Sequence, residues 1–113
     1  MIQSDKRVRR LHLLARPGLQ QGHITIVGKD EVESGDWRAT EDLANAAIGA
    51  EIHLHDAQQS KSWHAGTIIG WRWHESGNGR VVYRFKVNRG LARFQRTGWP
   101  SRGEQRVVWE DEE

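Results

Sequence analysis

The stretch that decides the fold runs from Trp63 to Asn88 and reads WHAGTIIGWRWHESGNGRVVYRFKVN. Its second half alternates between apolar and polar or basic side chains, which is typical of a β-strand with one buried face. The two halves are separated by a Gly-Asn-Gly string, the chemistry of a tight hairpin turn. The sequence therefore predicts a β-hairpin whose second strand is apolar on one face and basic on the other.

The two faces of that second strand have different expected roles. The inward row is expected to build the core and contains Val81, Tyr83, Phe85 and Val87. The outward row contains Arg80, Arg84 and Lys86, beside Val82. On the first strand, strict alternation predicts that the odd-numbered residues from Trp63 to Trp73 share one face. Gly66 and Gly70 lie on the other face and leave gaps that a ring or another backbone can approach closely.

The rest of the chain reads mainly as short strands. Runs of apolar or alternating residues predict strands at 8–15, 24–27, 51–56 and 105–110. In 51–56, Ile52 and Leu54 are expected inward, with Glu51, His53 and His55 on the opposite face. The polar stretch 29–36 predicts a loop, and 89–106 predicts a long basic connection.

One short helix is expected between the early strands. Thr40 can accept hydrogen bonds from first-turn amides, and the acidic Glu41 and Asp42 suit the positive end of the helix dipole. Leu43 and the alanines that follow give an apolar face at helical spacing, and Gly49 is a suitable stop. These elements predict an α+β fold, a small and mostly antiparallel β-barrel with one short helix.

The composition limits the class of protein. The chain has 113 residues, which suits one domain over 1–113, with 1–6 and 110–113 expected to be flexible ends. It has no cysteine, which excludes disulfides and thiolate chemistry and fits a reducing compartment. No apolar run approaches the ~20 residues of a membrane span, and the start lacks a signal-peptide core. We therefore expect a cytoplasmic protein without a membrane segment.

Charge is strongly segregated along the chain. Residues 80–106 contain eight Lys or Arg residues and only Glu104 as an acid, whereas 30–56 contains eight acids and only Arg38 as a base. One surface can therefore attract polyanions while another repels them. Alternatively, the two segments neutralise each other across the fold.

Several short strings resemble a known superfamily. They are Gly22 to Ile26 with Glu33-Ser34, the run Ile48 to Leu54, the run Ala65 to Gly70, and Trp37 with Asn45. Together, over roughly residues 22–88, they resemble the PUA-like superfamily, in particular its ASCH and EVE branches. This resemblance implies a barrel that binds nucleic acid or nucleotides, often through a modified base held in a pocket.

The same resemblance bears on catalysis. Some ASCH members are hydrolases that use a lysine just before the first of these strands. Here Gly22 occupies that neighbourhood, and Lys29 follows the strand instead. We therefore predict no catalytic residue and no cofactor.

The best candidate for a binding site is basic. Phosphate oxygens need several cationic donors along a track, and the planar fork of arginine suits them well. The predicted nucleic-acid-binding set is Arg80, Arg84, Lys86, Arg89, Arg93 and Arg96. The alternative is a solvated strand face followed by a flexible loop.

A second candidate is a pocket for an extruded base. Such a base needs an aromatic face to stack on and hydroxyl groups to read its polar edge. The predicted pocket residues are Trp37, Ser60, Ser62 and Trp63. The alternative makes Trp63 and Trp71 part of the core, whereas Trp37 sits in the predicted polar loop.

Histidines give a third candidate. His53 and His55 share one strand face, and His64 and His74 share a face of a neighbouring strand, so this cluster could hold a metal ion with Glu51 or Asp56. Polar strand faces carry histidines for other reasons more often, and we predict no metal.

These observations favour a module that binds RNA or DNA, or a nucleotide. The rivals are a protein-interaction module that docks onto an acidic partner or a second copy, and an ASCH-like hydrolase of a modified nucleoside.

Overall fold

The hairpin predicted from 63 to 88 is present in the computed structural model of the protein, which describes residues 6–15, 24–57, 61–91 and 104–110. The strands are β1 (Val8–Leu14), β2 (Thr25–Gly28), β3 (Glu31–Arg38), β4 (Glu51–His55), β5 (His64–Trp73), β6 (Arg80–Val87) and β7 (Gln105–Trp109). One helix, α1 (Glu41–Ala46), joins β3 to β4, and a 3-10 turn (Arg89–Leu91) follows β6. The four other predicted strands and the helix are confirmed.

All seven strands of the described residues belong to one sheet, in the order β2-β3-β6-β5-β4-β1-β7. Only β1 and β4 pair in parallel, and the other pairs are antiparallel. The predicted closed barrel is not confirmed, because β7 is the last strand and no backbone ladder joins it to β2 or β3 within the described ranges. In the same part of the chain, no helix is long and apolar enough to cross a membrane.

Hydrogen bonds that involve side chains connect β3 with the start of β7, although no backbone ladder joins these two strands. The backbone N–H of Arg38, at the end of β3, donates to the Glu104 carboxylate at 3.0 Å. The Gln105 side-chain amide, at the start of β7, donates to the Arg38 carbonyl at 2.7 Å. The sheet therefore curls until β3 and β7 approach each other at one end.

The predicted loop over 29–36 is wrong. Only Lys29 and Asp30 form a turn, and the polar residues from Glu31 onward belong to β3, which pairs with β6. Asp30 adopts a φ of 59°, which a short polar side chain tolerates in a tight turn. A polar strand is stable here because its acidic residues meet basic partners on β6.

The alternation predicted for β5 holds only in part. Ile68 lies opposite Phe85 and is buried, whereas Ile69 is bulged out of the ladder and is 43% exposed. After the bulge, Trp71 lies opposite Tyr83, so the core-facing side changes from even-numbered to odd-numbered residues. An extra residue in one strand shifts the parity of all that follow it.

The core lies on the inner face of the sheet, beneath α1. Its large fully buried members are Trp37, Tyr83, Phe85, Leu11, Leu13, Ile52, Leu54, Ile68 and Val81. The inward row predicted for β6 is confirmed, except that Val87 is half-buried. Val82, predicted to face outward, is also buried, because it lies in register between Arg72 and Asp36, whose side chains form ion pairs over that face.

Gly66 confirms the expected close approach. A Cβ atom at this position would stand 2.2 Å from the carbonyl oxygen of Lys86 and 2.7 Å from the Phe85 ring. Glycine is therefore required for β5 to pack against β6 here. At Gly70, by contrast, a Cβ atom would meet nothing within 4 Å.

The helix is short but well capped. The Thr40 hydroxyl accepts a hydrogen bond from the Leu43 amide at 3.1 Å, as predicted. The chain leaves the helix through Gly49, whose φ of 93° favours glycine. Ala44 and Ala46 are buried against the sheet, which fixes α1 over its inner face.

Candidate ligand-binding groove

The basic residues predicted on β6 are engaged with acids of β3. The Arg84 guanidinium lies 2.6 Å from the Glu31 carboxylate. Arg80 lies 2.6 Å from Asp36 and 3.0 Å from Glu104, the acid at the start of β7. The segments of opposite charge therefore neutralise each other across adjacent strands, the alternative that the sequence left open.

Arg72 extends the same network from the other neighbour of β6. Its guanidinium reaches across to Glu33 at 3.0 Å and to Glu75 at 3.2 Å. We call the surface that carries these ion pairs, on the outer side of β3, β6 and β5, the charged face. Because each of these arginines already donates to a carboxylate, its positive charge is largely neutralised and it attracts a phosphate less than an unpaired arginine would.

The other predicted phosphate-binding residues lie at or beyond the end of this face. Lys86 is exposed on β6, in register with Glu31 and Thr67. The backbone of Arg89 begins the 3-10 turn, and its side chain is outside the described residues. Arg93 and Arg96 also lie outside them.

The structure does not bring the predicted base-pocket residues together. Trp37 belongs to β3, lies level with Val81 and Trp73, and is fully buried, so its placement in a polar loop is wrong. Trp63 precedes the opposite end of β5, where its indole N–H donates to the Ala15 carbonyl at 2.8 Å. Ser62 is buried, and Ser60 lies outside the described residues.

The histidines of β1 and β4 form a buried polar layer. His12 lies opposite His53, and its Nδ1 is 2.9 Å from Nε2 of His55. All three side chains have no exposed surface, although the sequence suggested a polar face for two of them. His53 continues the layer, with Nδ1 3.1 Å from the Ser62 hydroxyl and Nε2 3.1 Å from the Glu51 carboxylate.

Burial governs the protonation of this layer. It lowers the pKa of His12 to about 3, and the nearby His53, His55, Arg10 and Arg106 add to the shift. Burial also lowers the pKa of His53, against the opposing effect of Glu51. The imidazoles of His12 and His53 are therefore neutral at pH 7. Among the residues that the structure describes, no group of three His, Cys, Asp or Glu side chains is arranged to hold a metal ion.

A groove of about 670 Å³ opens between the segment before β1, the helix α1 and the strand β7. Its size lies within the usual range for small-molecule sites. Its lining residues are Lys6, Arg7, Thr40, Asp42, Leu43, Asn45, Ala46, Val107 and Trp109. This set is named the groove below.

One wall of the groove combines positive charge with an aromatic ring. The Lys6 ammonium lies 5.9 Å from the centre of the Trp109 ring, within the range of a cation–π contact. The backbone N–H of Arg7 donates to the Glu110 carboxylate, and the Glu110 N–H donates to the Arg7 carbonyl, both at 2.9 Å. These bonds fix the two cationic residues beside the end of β7.

The opposite wall is the polar side of α1. The indole N–H of Trp71 donates to the Asn45 Oδ1 atom at 2.8 Å. Since an indole N–H can only donate, this bond fixes which end of the Asn45 amide is oxygen, and the amide N–H groups are left for other partners. Asp42, one turn earlier on the helix, adds a carboxylate to this wall.

The sequence alone does not predict the groove, because its lining residues come from three distant segments: 6–7, 40–46 and 107–109. Lys6 belongs to an expected flexible end, and Trp109 was recognised only as a strand residue. The one sequence signal available was an aromatic residue in β7 beside the basic segment that pairs with it.

Lys29, the lysine that the sequence comparison with hydrolases singled out, does not line the groove. Lys29 is exposed in the turn between β2 and β3, and Gly22 lies outside the described residues. Comparisons of the chain with protein-family models, with curated proteins and with solved structures find no match.

Proposed function

We propose that the chain binds a nucleotide, free or within a nucleic-acid strand, and that the groove is the binding site. The observation that carries the proposal is the contact of Lys6 with the Trp109 ring on one wall of a cavity of about 670 Å³ that Arg7 also lines. The Arg7 guanidinium itself donates to the Ile48 carbonyl. Cationic donors suit the phosphate, and an indole suits a base. The carboxylate and amide of Asp42 and Asn45 supply the polar groups that read the edge of a base.

This proposal retains the ligand class predicted from the sequence and changes its location. The arginines of β6 are tied to carboxylates, so they are weaker phosphate donors than their number in the sequence suggests. Trp37, fully buried, offers no face to a base in this conformation. Recognition of a modified base and a PUA-like barrel belong to the same proposal. The hydrogen bonds between the Arg38 backbone and the side chains of Glu104 and Gln105 support near-closure of the sheet.

A titration tests the proposal. Adenosine 5′-monophosphate (AMP) is added to the protein at low salt and binding is measured by calorimetry, then repeated at higher salt. We expect binding that weakens with salt, because phosphate contacts release counterions. Lys6→Glu should weaken it about tenfold, a typical cost of reversing one phosphate contact. Lys61→Glu is the matched control, since Lys61 is exposed and lies outside the groove.

Two results would overturn the proposal. One is no binding of AMP to the protein at low salt and millimolar concentration. The other is equal loss of affinity in Lys6→Glu and Lys61→Glu, which would mean that only overall charge matters.

A second candidate function rests on the edge strand β2. Its four residues are all exposed, and Ile26 is 79% exposed although it lies in register with the buried Val32. An apolar edge strand without charged residues is a template for strand pairing. As a protein-interaction module, the chain would form a dimer that Ile26→Lys abolishes in sedimentation experiments. A monomer at all concentrations would exclude pairing of two copies.

A further inference from the structure

Two indoles at the end of β5 form a rigid aromatic pair. Trp71 and Trp73 pack edge to face, with ring centres 5.1 Å apart and ring planes at 89°. Trp71 packs against the core, whereas Trp73 is 49% exposed. The exposed ring is thus held by a partly buried neighbour on an ordered strand.

The pair is directly connected to the groove. The indole N–H of Trp71 donates to Asn45, and Asn45 lines the groove. Only two contacts therefore separate the exposed Trp73 ring from the groove wall: the ring contact with Trp71 and this hydrogen bond. A ligand that leaves the groove past Asn45 meets an aromatic surface next.

Among the described residues, the strand neighbours of Trp73 give no other reason for its exposure. Its ladder partner Val81 is fully buried, and the residue beside that partner is the ion-paired Arg80. A large ring that is half exposed on an ordered strand forfeits much of the free energy that its burial would supply. Stacking against a base would remove this exposed surface from water and recover part of that free energy.

We propose that Trp73 is a second base-stacking position and that the ligand of the groove is a short single strand of nucleic acid, not a mononucleotide. This rests on the proposed function and deepens it. One nucleotide occupies the groove, with its phosphate near Lys6 and Arg7. The strand passes Asn45, and a following base stacks on Trp73. A duplex does not fit, because its bases are stacked on each other and offer no free face.

The test compares a trinucleotide with a mononucleotide. Affinities for pApApA and AMP are measured on the wild type, Trp73→Ala, Trp73→Phe and the control Ile69→Ala. Ile69 is an exposed apolar residue of the same strand. The extra phosphates of pApApA raise its affinity by themselves, so the decisive quantity is the ratio of the two affinities. We expect this ratio to fall about tenfold in Trp73→Ala, less in Trp73→Phe, and not at all in Ile69→Ala.

A second measurement does not depend on any variant folding. The indole N–H resonance of Trp73 in the wild type should shift with pApApA and stay in place with AMP. The second stacking position is overturned if the ratio of the two affinities is unchanged in Trp73→Ala, or if the Trp73 resonance does not shift with pApApA. In either case, AMP binding would still support the groove as a binding site. If neither AMP nor pApApA binds, the proposed function fails as well.

Discussion

The two halves of the sheet treat polar residues in opposite ways. In the half made of β3, β6 and β5, arginines and carboxylates pair on an accessible face. In the half made of β4, β1 and β7, three histidines are fully buried, and burial keeps His12 and His53 neutral. The groove lies beside this second half, at the end of β7. Dense charge in a sequence therefore marks a network that holds strands together, and the proposed site has far fewer charges.

The two halves of the sheet are expected to differ most in how much stability they lose at acidic pH. The low folded-state pKa of His12 means that the unfolded chain binds a proton more tightly between about pH 6.5 and about pH 3. Stability contributed by the neutral imidazole is complete above pH 6.5 and declines as the pH falls through that window. We expect His12 alone to cost about 2 kcal/mol of unfolding free energy between pH 7 and pH 5.

Urea unfolding at the two pH values measures this loss. The range stays above the usual carboxyl titration, so the ion pairs of the charged face contribute little. In His12→Gln the fall between pH 7 and pH 5 should shrink by the His12 share. A fall of the same size in that variant would show that the imidazole titrates normally in the folded protein.

The next effect concerns Arg80, which joins the two halves. Its guanidinium bridges Asp36 on β3 and Glu104 before β7, and all three side chains are less than a third exposed. Arg80→Ala leaves two partly buried carboxylates without their cation, so we expect a loss of about 2 kcal/mol in unfolding free energy. Affinity for AMP should stay within about twofold of wild type, since Arg80 is outside the groove. Unchanged stability together with lost AMP binding would transfer the site to β6.

Substitution of Lys6 should lower AMP affinity more than stability, the reverse of the pattern expected for Arg80→Ala. Lys6→Gln removes an exposed ammonium from the Trp109 ring, and we expect less than about 0.5 kcal/mol of lost stability. Affinity for AMP should fall about threefold to fivefold, short of the tenfold effect of the charge reversal. Thermal unfolding and calorimetry on the same sample separate the two quantities. A destabilised variant with wild-type affinity would assign Lys6 a purely structural role.

The smallest effect is expected at Arg84. Its pair with Glu31 is short, but its side chain is 44% exposed, and exposed ion pairs contribute about 0.5 kcal/mol or less. Arg84→Ala should therefore change neither unfolding free energy nor AMP affinity measurably at moderate salt. A marked loss of affinity at low salt would return β6 to the phosphate-binding surface.

The sequence predicts the positions of the strands and the helix better than it predicts which of their side chains are buried. Alternation and turn chemistry locate β5, β6 and the cap at Thr40, because those signals are local. Alternation cannot reveal a bulge. It groups Ile69 with Trp71 on one face, whereas in the structure Ile68 is buried and Ile69 is exposed. The sequence predicts a loop over 29–36 because β3 is mostly polar: its acidic residues pair with arginines of β6 and β5, and its buried apolar residues Val32 and Trp37 are too few to give an apolar pattern. A strand of this kind can be recognised only when its neighbour is known.

The site depends still more on contacts that are distant in sequence. Trp37 looked accessible among glycine and aspartate, yet the pairing of β3 with β6 places it in the core. Lys6, Asn45 and Trp109 carry no common motif, and only the folded sheet brings them to one cavity. Residue type leads only to the proposed class of ligand, and the proposed site could be located only from the three-dimensional structure.

The most direct test of the central claim is a map of chemical-shift changes during an AMP titration at low salt. The account predicts that the shifts concentrate on the backbone of Lys6, Thr40 and Asn45 and on the indole N–H of Trp109. Resonances of β6 should stay in place. Shifts concentrated at Arg80, Arg84 and Lys86 with a silent groove would contradict it.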